Sequence, residues 1–427
     1  MLYCERMLYN ENRIQEVVLD FFHSGNVAGG GEGNEPGVLE EIVAFAGMMN
    51  QTVSHPLNSL LILQGVKTLP HKGFRAGSWY EVPLSLFDSF QDAGNEEAND
   101  LVLMKLVYHA EDDIDLTAFK LEDADWQYAS IPASIRNQNQ LAALNARIGT
   151  KQEDVSLQVR NVWCANWNEV YSGDELLFVY DFGLDLAFDN RERSARSMAF
   201  DVQAASSDRF FGVISHWDLD HYNGLIDMKH QTVSRLAGLI CPVKIPNTDK
   251  VRRLFHKLNK EGIPVQVIPS TGSTSHRIEL HPVCESAFYT MYRSTDGSDR
   301  NQSGIVMEVN GRAKTGILTG DHHYLQLLKG VMNRHKTNPT PYELVVPHHG
   351  GNAGKWTDEV KRRLDLTAFS CGILSTRSDR YRNVPRSEIH RYFVEDLGFA
   401  CFCKSCSPTA AGYVVSLECS HGRGSLV

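Results

Sequence analysis

The sequence predicts an α/β fold, and three observations carry that expectation. From about residue 155 onward, short apolar strands recur and end in Gly, Asp or His. Between them lie segments of helical spacing, as at 249–261. Potential ligands gather at the strand ends, as in a layered sheet with a rim of active-site loops.

With 427 residues the chain exceeds one ordinary domain. It is 42% hydrophobic and 22% charged, near globular averages, which excludes a disordered or fibrous protein. Lys and Arg total 42 against 52 Asp and Glu, a formal net charge of −10, which excludes a uniformly basic nucleic-acid coat protein. Residues 1–150 hold 9 basic and 21 acidic side chains, whereas 151–427 hold 33 and 31. That asymmetry predicts an acidic N-terminal accessory domain over 1–150, suited to binding a protein partner, and a second domain over 151–427.

No apolar run approaches the ~20 residues that span a bilayer, so no membrane association is expected. The opening residues are interrupted by Glu5, Arg6, Glu11, Arg13 and Glu16, and form no signal-peptide core. The nine cysteines are odd in number and mostly scattered, which suits a reducing compartment without a disulfide framework. A cytoplasmic location is expected.

In chain order, 12–23 and 38–49 have helical apolar spacing, joined across the Gly-rich AGGGEGNEPG. A polar break at 91–100 precedes LVLMKLVYH, of strand length, and a helix is expected over 131–148 with Leu141, Leu144 and Ile148 on one face. No catalytic signature appears there. Then come the strands VSLQVRNVWC, ELLFVYDFG and RFFGVIS, the helix at 249–261, and the strands IPVQVI, SGIVMEV, AKTGILTGD and YELVVPHHG.

The strand FFGVIS runs into His216-Trp-Asp218-Leu-Asp220-His221, four potential ligands in six residues. Spacing by two would set His216, Asp218 and Asp220 on one side of an extended segment. Imidazole and carboxylate are the nitrogen and oxygen ligands of zinc, manganese and iron. A polar loop capping a helix needs only one such residue. Downstream, Thr319-Gly320-Asp321 and His348-His349-Gly350 each close an apolar strand, and His281-Pro282 stands between them and the first motif.

These motifs resemble the metallo-β-lactamase-fold hydrolases, and within them the soluble domain of ComEC-type DNA-uptake proteins. The Ser-His-x-Asp-x-Asp-His-x-x-Gly motif is similar to Ser215–Gly224, with Asp218 where most of the superfamily has His. Asn301 to Asp321 resembles the Asn-x-x-Ser strand before Leu-Thr-Gly-Asp, and Asp181-Phe182-Gly183 resembles the fold's opening Asp-x-Gly. The likeness covers roughly 155–400. Val384 stands where the family's last motif has His, and Asn352 where Ser often follows His-His-Gly. The membrane channel of the uptake proteins has no counterpart.

The resemblance implies an αββα sandwich with an additional N-terminal domain, holding two divalent metal ions, Zn or Mn. One ion would take His216, Asp218 and His281, with His276 an alternative to His281. The other would take Asp220, His221 and one of His348 or His349, with Asp321 bridging. Two ions ~3.5–4 Å apart can clamp a hydroxide and lower its pKa, while one ion polarises the scissile group. Asp220 would orient that hydroxide or take its proton, and the His348/His349 side chain that is not a ligand would stabilise charge or protonate the leaving group. The Asp218 carboxylate would shift preference from zinc toward manganese or magnesium.

Residues 355–391 carry nine basic side chains against five acids, including Arg380 and Arg382, with Tyr381 and Tyr392 interleaved. They are expected to guide a nucleic acid or another phosphate ester, although KRRLDL equally suits the solvated face of a helix. The expected activity is therefore a phosphodiesterase or nuclease. The alternatives are a hydrolase of small esters, lactones or amides, and a non-enzymatic partner-binding protein that keeps the metal site. Cys401, Cys403 and Cys406, with Cys419 and His421, offer zinc ligands. Two strands around SPTAA would carry Cys419 ~20 Å from Cys406, which favours ordinary thiols.

Overall fold

The computed structural model describes residues 2–10, 13–21, 59–64, 79–81, 91–92, 104–109, 120–121, 129–150, 153–204, 209–272, 278–297, 300–332, 340–377, 384–403, 406–407, 409–419 and 424–427. The chain divides into two compact units, Met1–Ser130 with Lys244–Lys257, and Ile131–Val243 with Leu258–Val427. The helix Gln140–Ile148 belongs to the second unit and buries Leu144 and Ile148 in its core.

The first unit holds a seven-stranded sheet. Its strands are β1 (Leu2–Asn10), β2 (Arg13–Phe21), β3 (Ser59–Gln64), β4 (Trp79–Glu81), β5 (Gln91–Asp92), β6 (Met104–His109) and β7 (Lys120–Leu121), in the order β5-β6-β3-β2-β1-β4-β7. Within the apolar stretch at 101–109, β6 is the strand expected there, but the helix expected over 12–23 gives way to β2. Ile14, Val17 and Val18 fit helical spacing, yet β-branched residues also suit a pleated strand. Here β2 pairs antiparallel with both β1 and β3, which meets its backbone hydrogen bonds on both sides. Residues 38–49, read as a helix, lie outside the described residues. Within this unit Lys250 reaches the buried Asp20 at 3.2 Å.

The second unit is α/β with two mixed sheets. The first begins with β8 (Val155–Arg160), β9 (Trp167–Ser172), β10 (Glu175–Phe182), β11 (Phe210–Val213), β12 (Leu236–Pro242) and β13 (Val265–Ile268). The second is β14 (Leu280–Glu285), β15 (Tyr289–Ser294), β16 (Ile305–Asn310), β17 (Thr315–Leu318), β18 (Tyr342–Val345), β19 (Phe369–Leu374) and β20 (Ala400–Cys401), in that spatial order. β21 (Gly412–Ser416) and β22 (Ser425–Leu426) return to the first sheet beside β8.

Each sheet is antiparallel where short links join strands and parallel where helices intervene. β10 through β13 run parallel, as do β17 through β20. Their inner faces share one core, in which Leu157, Phe178 and Val213 of the first sheet meet Met291, Met307 and Leu318 of the second. Behind the second sheet, Leu327, Val360, Leu364 and Phe393 of the helical segments pack on Val306, Ile317 and Leu344. Behind the first, Phe200 of the helix Asn190–Ala204 meets Trp167 and Phe210 edge-on. The layers run helix, sheet, sheet, helix, an arrangement consistent with an αββα sandwich. Among the described residues no helix is long and apolar enough to cross a membrane.

Candidate metal centre

The parallel halves of both sheets end at one place, and the ligands follow from that. Asp181 lies near the end of β10, Ser215 and His216 follow β11, Asp321 follows β17, and His348 and His349 follow β18. Two cross-sheet bonds hold the ends together. Tyr180 Oη donates to the Ile305 carbonyl at 2.7 Å, and the Ile305 amide donates to the Ser215 carbonyl at 2.9 Å. Gly320, at φ 52°, sits so close to Ser215 that a Cβ would lie 2.9 Å from its side chain. Glycine is required there by conformation and by space.

The helix Leu219–Asp227 begins inside the His216–His221 motif, so the motif is not the extended segment its spacing by two suggested. Once the chain turns helical, Asp220 leaves the side occupied by His216, whereas His221 comes back beside it, the two ring centroids 4.0 Å apart. Two overlapping groups result: His216, His221 and Asp321, and Asp220, His221 and His349. In each group the ligand atoms lie within 4.8 Å of one another.

Three imidazoles of these groups are mounted in the same way. His221 Nδ1 lies 2.8 Å from Asp181 Oδ2. His216 Nδ1 lies 3.0 Å from Ser215 Oγ, which donates to Asp181 Oδ2 at 2.7 Å. His349 Nδ1 faces the Ser375 carbonyl at 3.2 Å. In all three, Nε2 is buried and has no hydrogen-bond partner, and Asp321 Oδ1 shares that state. An orphaned buried polar atom is costly. Gathered in two overlapping groups that share His221, with each ring fixed through its other nitrogen, these atoms form the mounting that metal-ligating histidines use. The residues present therefore fit divalent metal.

Charge is balanced within the cluster. Burial opposes an imidazolium at His221, but Asp181 and Asp321 outweigh it and raise its pKa well above the ordinary range. Burial likewise opposes a charged Asp321, yet His348 and His221 hold its carboxyl well below the ordinary range. Asp220 is lowered in the same way, against burial, by His349, whose Nε2 lies 3.7 Å from Asp220 Oδ2, and by the charge of His221.

The paired histidines divide their roles. Both adopt left-handed backbone, at φ 51° and 53°, a conformation costing roughly 1–2 kcal/mol per residue and concentrated at functional sites. His349 turns into the cluster with Asp220. His348 is more open, bonds Asp321 through Nδ1, and has the Asn301 amide 3.2 Å from the same nitrogen.

Asp218 does not cap the helix it precedes. Its Oδ1 lies 2.7 Å from Arg300 Nε and its Oδ2 3.6 Å from His216 Nε2. Burial would raise its pKa, but Arg300 and then His216 lower it. Arg300 escaped the sequence reading because nothing in its neighbours marks it. His322 was also missed: it is buried beside Asp321, its Nδ1 is 2.9 Å from the Thr319 carbonyl, and burial pushes its pKa down to about 3. Its adjacency to Asp321 in Thr-Gly-Asp-His was the available signal.

His281 does not join the centre, which corrects the ligand expected there. It lies on the edge strand β14, half exposed, with Glu279 at 3.6 Å. Three strand spacings separate β14 from β17, on the order of 14 Å. His276, Arg380, Tyr381 and Arg382 lie outside the described residues. Of the basic segment, Arg362 and Arg363 ride the solvated side of the helix Asp358–Asp365, which buries Val360 and Leu364. Arg377 stacks over the Trp163 ring at 3.6 Å from its centroid.

No family model matches the sequence, and no curated protein matches it. Among solved structures the chain is similar to Tm1679, a metal-dependent hydrolase of the β-lactamase superfamily. Identity is 9%, the match covers 62% of this chain and 100% of that one, and the TM-score is 0.35.

Proposed function

We propose that the chain is a metal-dependent hydrolase of the metallo-β-lactamase class, and that its substrate is a phosphodiester, as in a nuclease. The observation that carries the hydrolase reading is the set of three buried Nε2 atoms on His216, His221 and His349, each without a hydrogen bond and each facing a carboxylate of the centre. Asp220, Asp321 and those three imidazoles would hold one or two divalent ions, zinc or manganese. Such ions, when bound, polarise a scissile phosphoryl or carbonyl group and acidify water.

The chain's own residues supply the rest. Asp181 and Ser215 fix the tautomers of His221 and His216. Asp220 is ionised and partly open, so it orients a water and accepts its proton. His348, more exposed than its neighbour, is favoured in its protonated form by Asp321 on Nδ1, and would give its Nε2 proton to the leaving group. The left-handed turn at His348 and His349 brings both rings to the cluster, His348 onto Asp321 and His349 beside Asp220.

The phosphodiester reading draws support from charge. Residues 355–391 have nine basic side chains against five acids and follow the His348-His349 turn. Arg377 stands two residues beyond the Ser375 carbonyl that holds His349. Guanidinium groups match phosphate oxygens.

The test uses full-length protein reconstituted with manganese or zinc, given bis(p-nitrophenyl) phosphate, labelled DNA and RNA, and a panel of esters and lactones. Phosphodiester cleavage that disappears in Asp220→Ala is expected. Cleavage confined to esters or lactones would move the substrate class, and failure to bind any divalent metal would remove the hydrolase reading.

A further inference from the structure

A second convergence of ligand atoms lies outside the centre just described. His390, Cys401, Cys403 and Cys406 bring one nitrogen and three sulfurs within 4.8 Å of one another. His390 Nε2 is 3.6 Å from both Cys403 Sγ and Cys406 Sγ. Zinc bonds of ~2.3 Å to sulfur and ~2.0 Å to nitrogen at a tetrahedral angle set an N···S separation of ~3.5 Å. The two sulfurs themselves are 3.1 Å apart, well beyond the ~2.05 Å of a disulfide bond. They are also closer than the ~3.8 Å that tetrahedral zinc–thiolate geometry sets, so binding would part them by side-chain rotation.

Local structure prepares these side chains. Cys401 ends β20, and the Cys403 amide donates to its sulfur at 3.2 Å. The Cys406 amide donates to the Cys403 carbonyl at 2.9 Å, which draws the two residues together. Their sulfurs meet on the side that faces His390. His390 ends the helical turn Ser387–His390, and its Nδ1 lies 3.5 Å from Glu395 Oε1. A carboxylate behind one ring nitrogen, with the other aimed at the sulfurs, is the mounting seen at His221.

We infer that His390, Cys401, Cys403 and Cys406 form a closed Cys3His zinc site, independent of the His/Asp centre. Four protein ligands leave no open position, which makes the site structural. Soft thiolates select zinc over manganese or magnesium. On binding, the three thiols release their protons as the Zn–S bonds form. The ion would tie the segment after Arg386 to the end of β20. That segment also braces the His348-His349 loop, because the Arg386 amide donates to the Gly350 carbonyl at 2.8 Å and Ile389 packs beside Gly350.

The experiment is cobalt substitution of the full-length protein, purified under reducing conditions and stripped of metal. A thiolate-to-cobalt charge-transfer band in the near ultraviolet is expected, with the intense visible bands of tetrahedral cobalt. The His/Asp ligands cannot produce the charge-transfer band, so Asp321→Ala should retain it. Cys403→Ser with Cys406→Ser should abolish it and lower bound zinc by one equivalent per chain. His390→Ala should keep the band, shift the visible spectrum and weaken binding at least tenfold. Zinc added to the wild-type protein should also protect Cys401, Cys403 and Cys406 from alkylation, a readout that does not depend on any variant folding. Absence of the charge-transfer band in folded, reduced wild-type protein would overturn the inference. So would unchanged alkylation of all three thiols by saturating zinc, or a Cys403–Cys406 disulfide in protein that retains no zinc.

Discussion

The His/Asp cluster and the Cys/His cluster solve one problem with different materials. Both mount an imidazole through Nδ1 on an oxygen of the protein and aim Nε2 at the other ligands. The first draws its ligands from separate strand ends of two sheets, and the second from residues 390–406 alone. Oxygen and nitrogen ligands with a partly open carboxylate, Asp220, suit chemistry. Thiolates closing a tight turn suit support. Where ligands come from distant segments, the whole sandwich must be folded before the site exists; where they are local, an ion can hold the segment itself.

The sharpest way to break the comparison is Asp321→Ala. It should abolish metal binding at the His/Asp centre, a loss beyond the ~10–100-fold caused by removing an outer partner, while thiolate-bound cobalt persists. Isothermal titration together with the cobalt spectrum would measure both. Simultaneous loss of both would show that the two clusters are not independent.

Asp181→Asn comes next. Asp181 touches no expected metal position, yet it orders both His216 and His221. Metal affinity at the centre should fall by about 10–100-fold, with manganese titration as the readout. An affinity equal to wild type would mean that the ring mounting is incidental.

The pH dependence of the metal-free protein separates the clusters more gently. His221 and His348 are raised above the ordinary 6.5, so their contribution to stability is complete below that value and is lost as pH rises through their folded values. Asp321 is depressed below 3.8, so its contribution is present above that value and is lost as pH falls through its folded value. Thermal melts in chelator should therefore decline from about pH 6.5 upward, and the rise in melting temperature on adding manganese should grow over the same range. A metal-free melting temperature that increases above neutrality would contradict the charge balance assigned to the centre.

The smallest effect is expected from Arg300→Gln. Its guanidinium neutralises Asp218, so its loss should leave that carboxylate more negative and improve manganese affinity by up to ~10-fold, or ~1.4 kcal/mol. Competition between manganese and zinc in the variant would show it, and weaker manganese binding would place Arg300 among the supports of the centre instead.

Much of the larger unit was legible as pattern. Apolar runs of four to eight residues became strands because buried parallel strands need continuous apolar sequence. The first unit read less well. Ile14, Val17, Val18 and Leu19 satisfy both a helical stripe and a strand, and pairing with β1 and β3, absent from any local window, selected the strand.

For the metal clusters, sequence by itself determined which residues were chemically eligible and that they stood at strand ends: His216, Asp220, His221, Asp321, His348 and His349 all follow from local pattern. Only the tertiary structure decided which of them meet. Strand order put His281 at an edge, a helix starting at Leu219 separated Asp220 from His216, and a left-handed turn set His348 on Asp321 and His349 beside Asp220. Cys401, Cys403 and Cys406 were visible as a group, but their fourth partner was sought downstream at Cys419 and His421. The fold instead supplied His390 from the helical turn before β20. Ligand type is a property of one residue, whereas a ligand set is a set of distances, and distances between segments are set by the order in which strands stack.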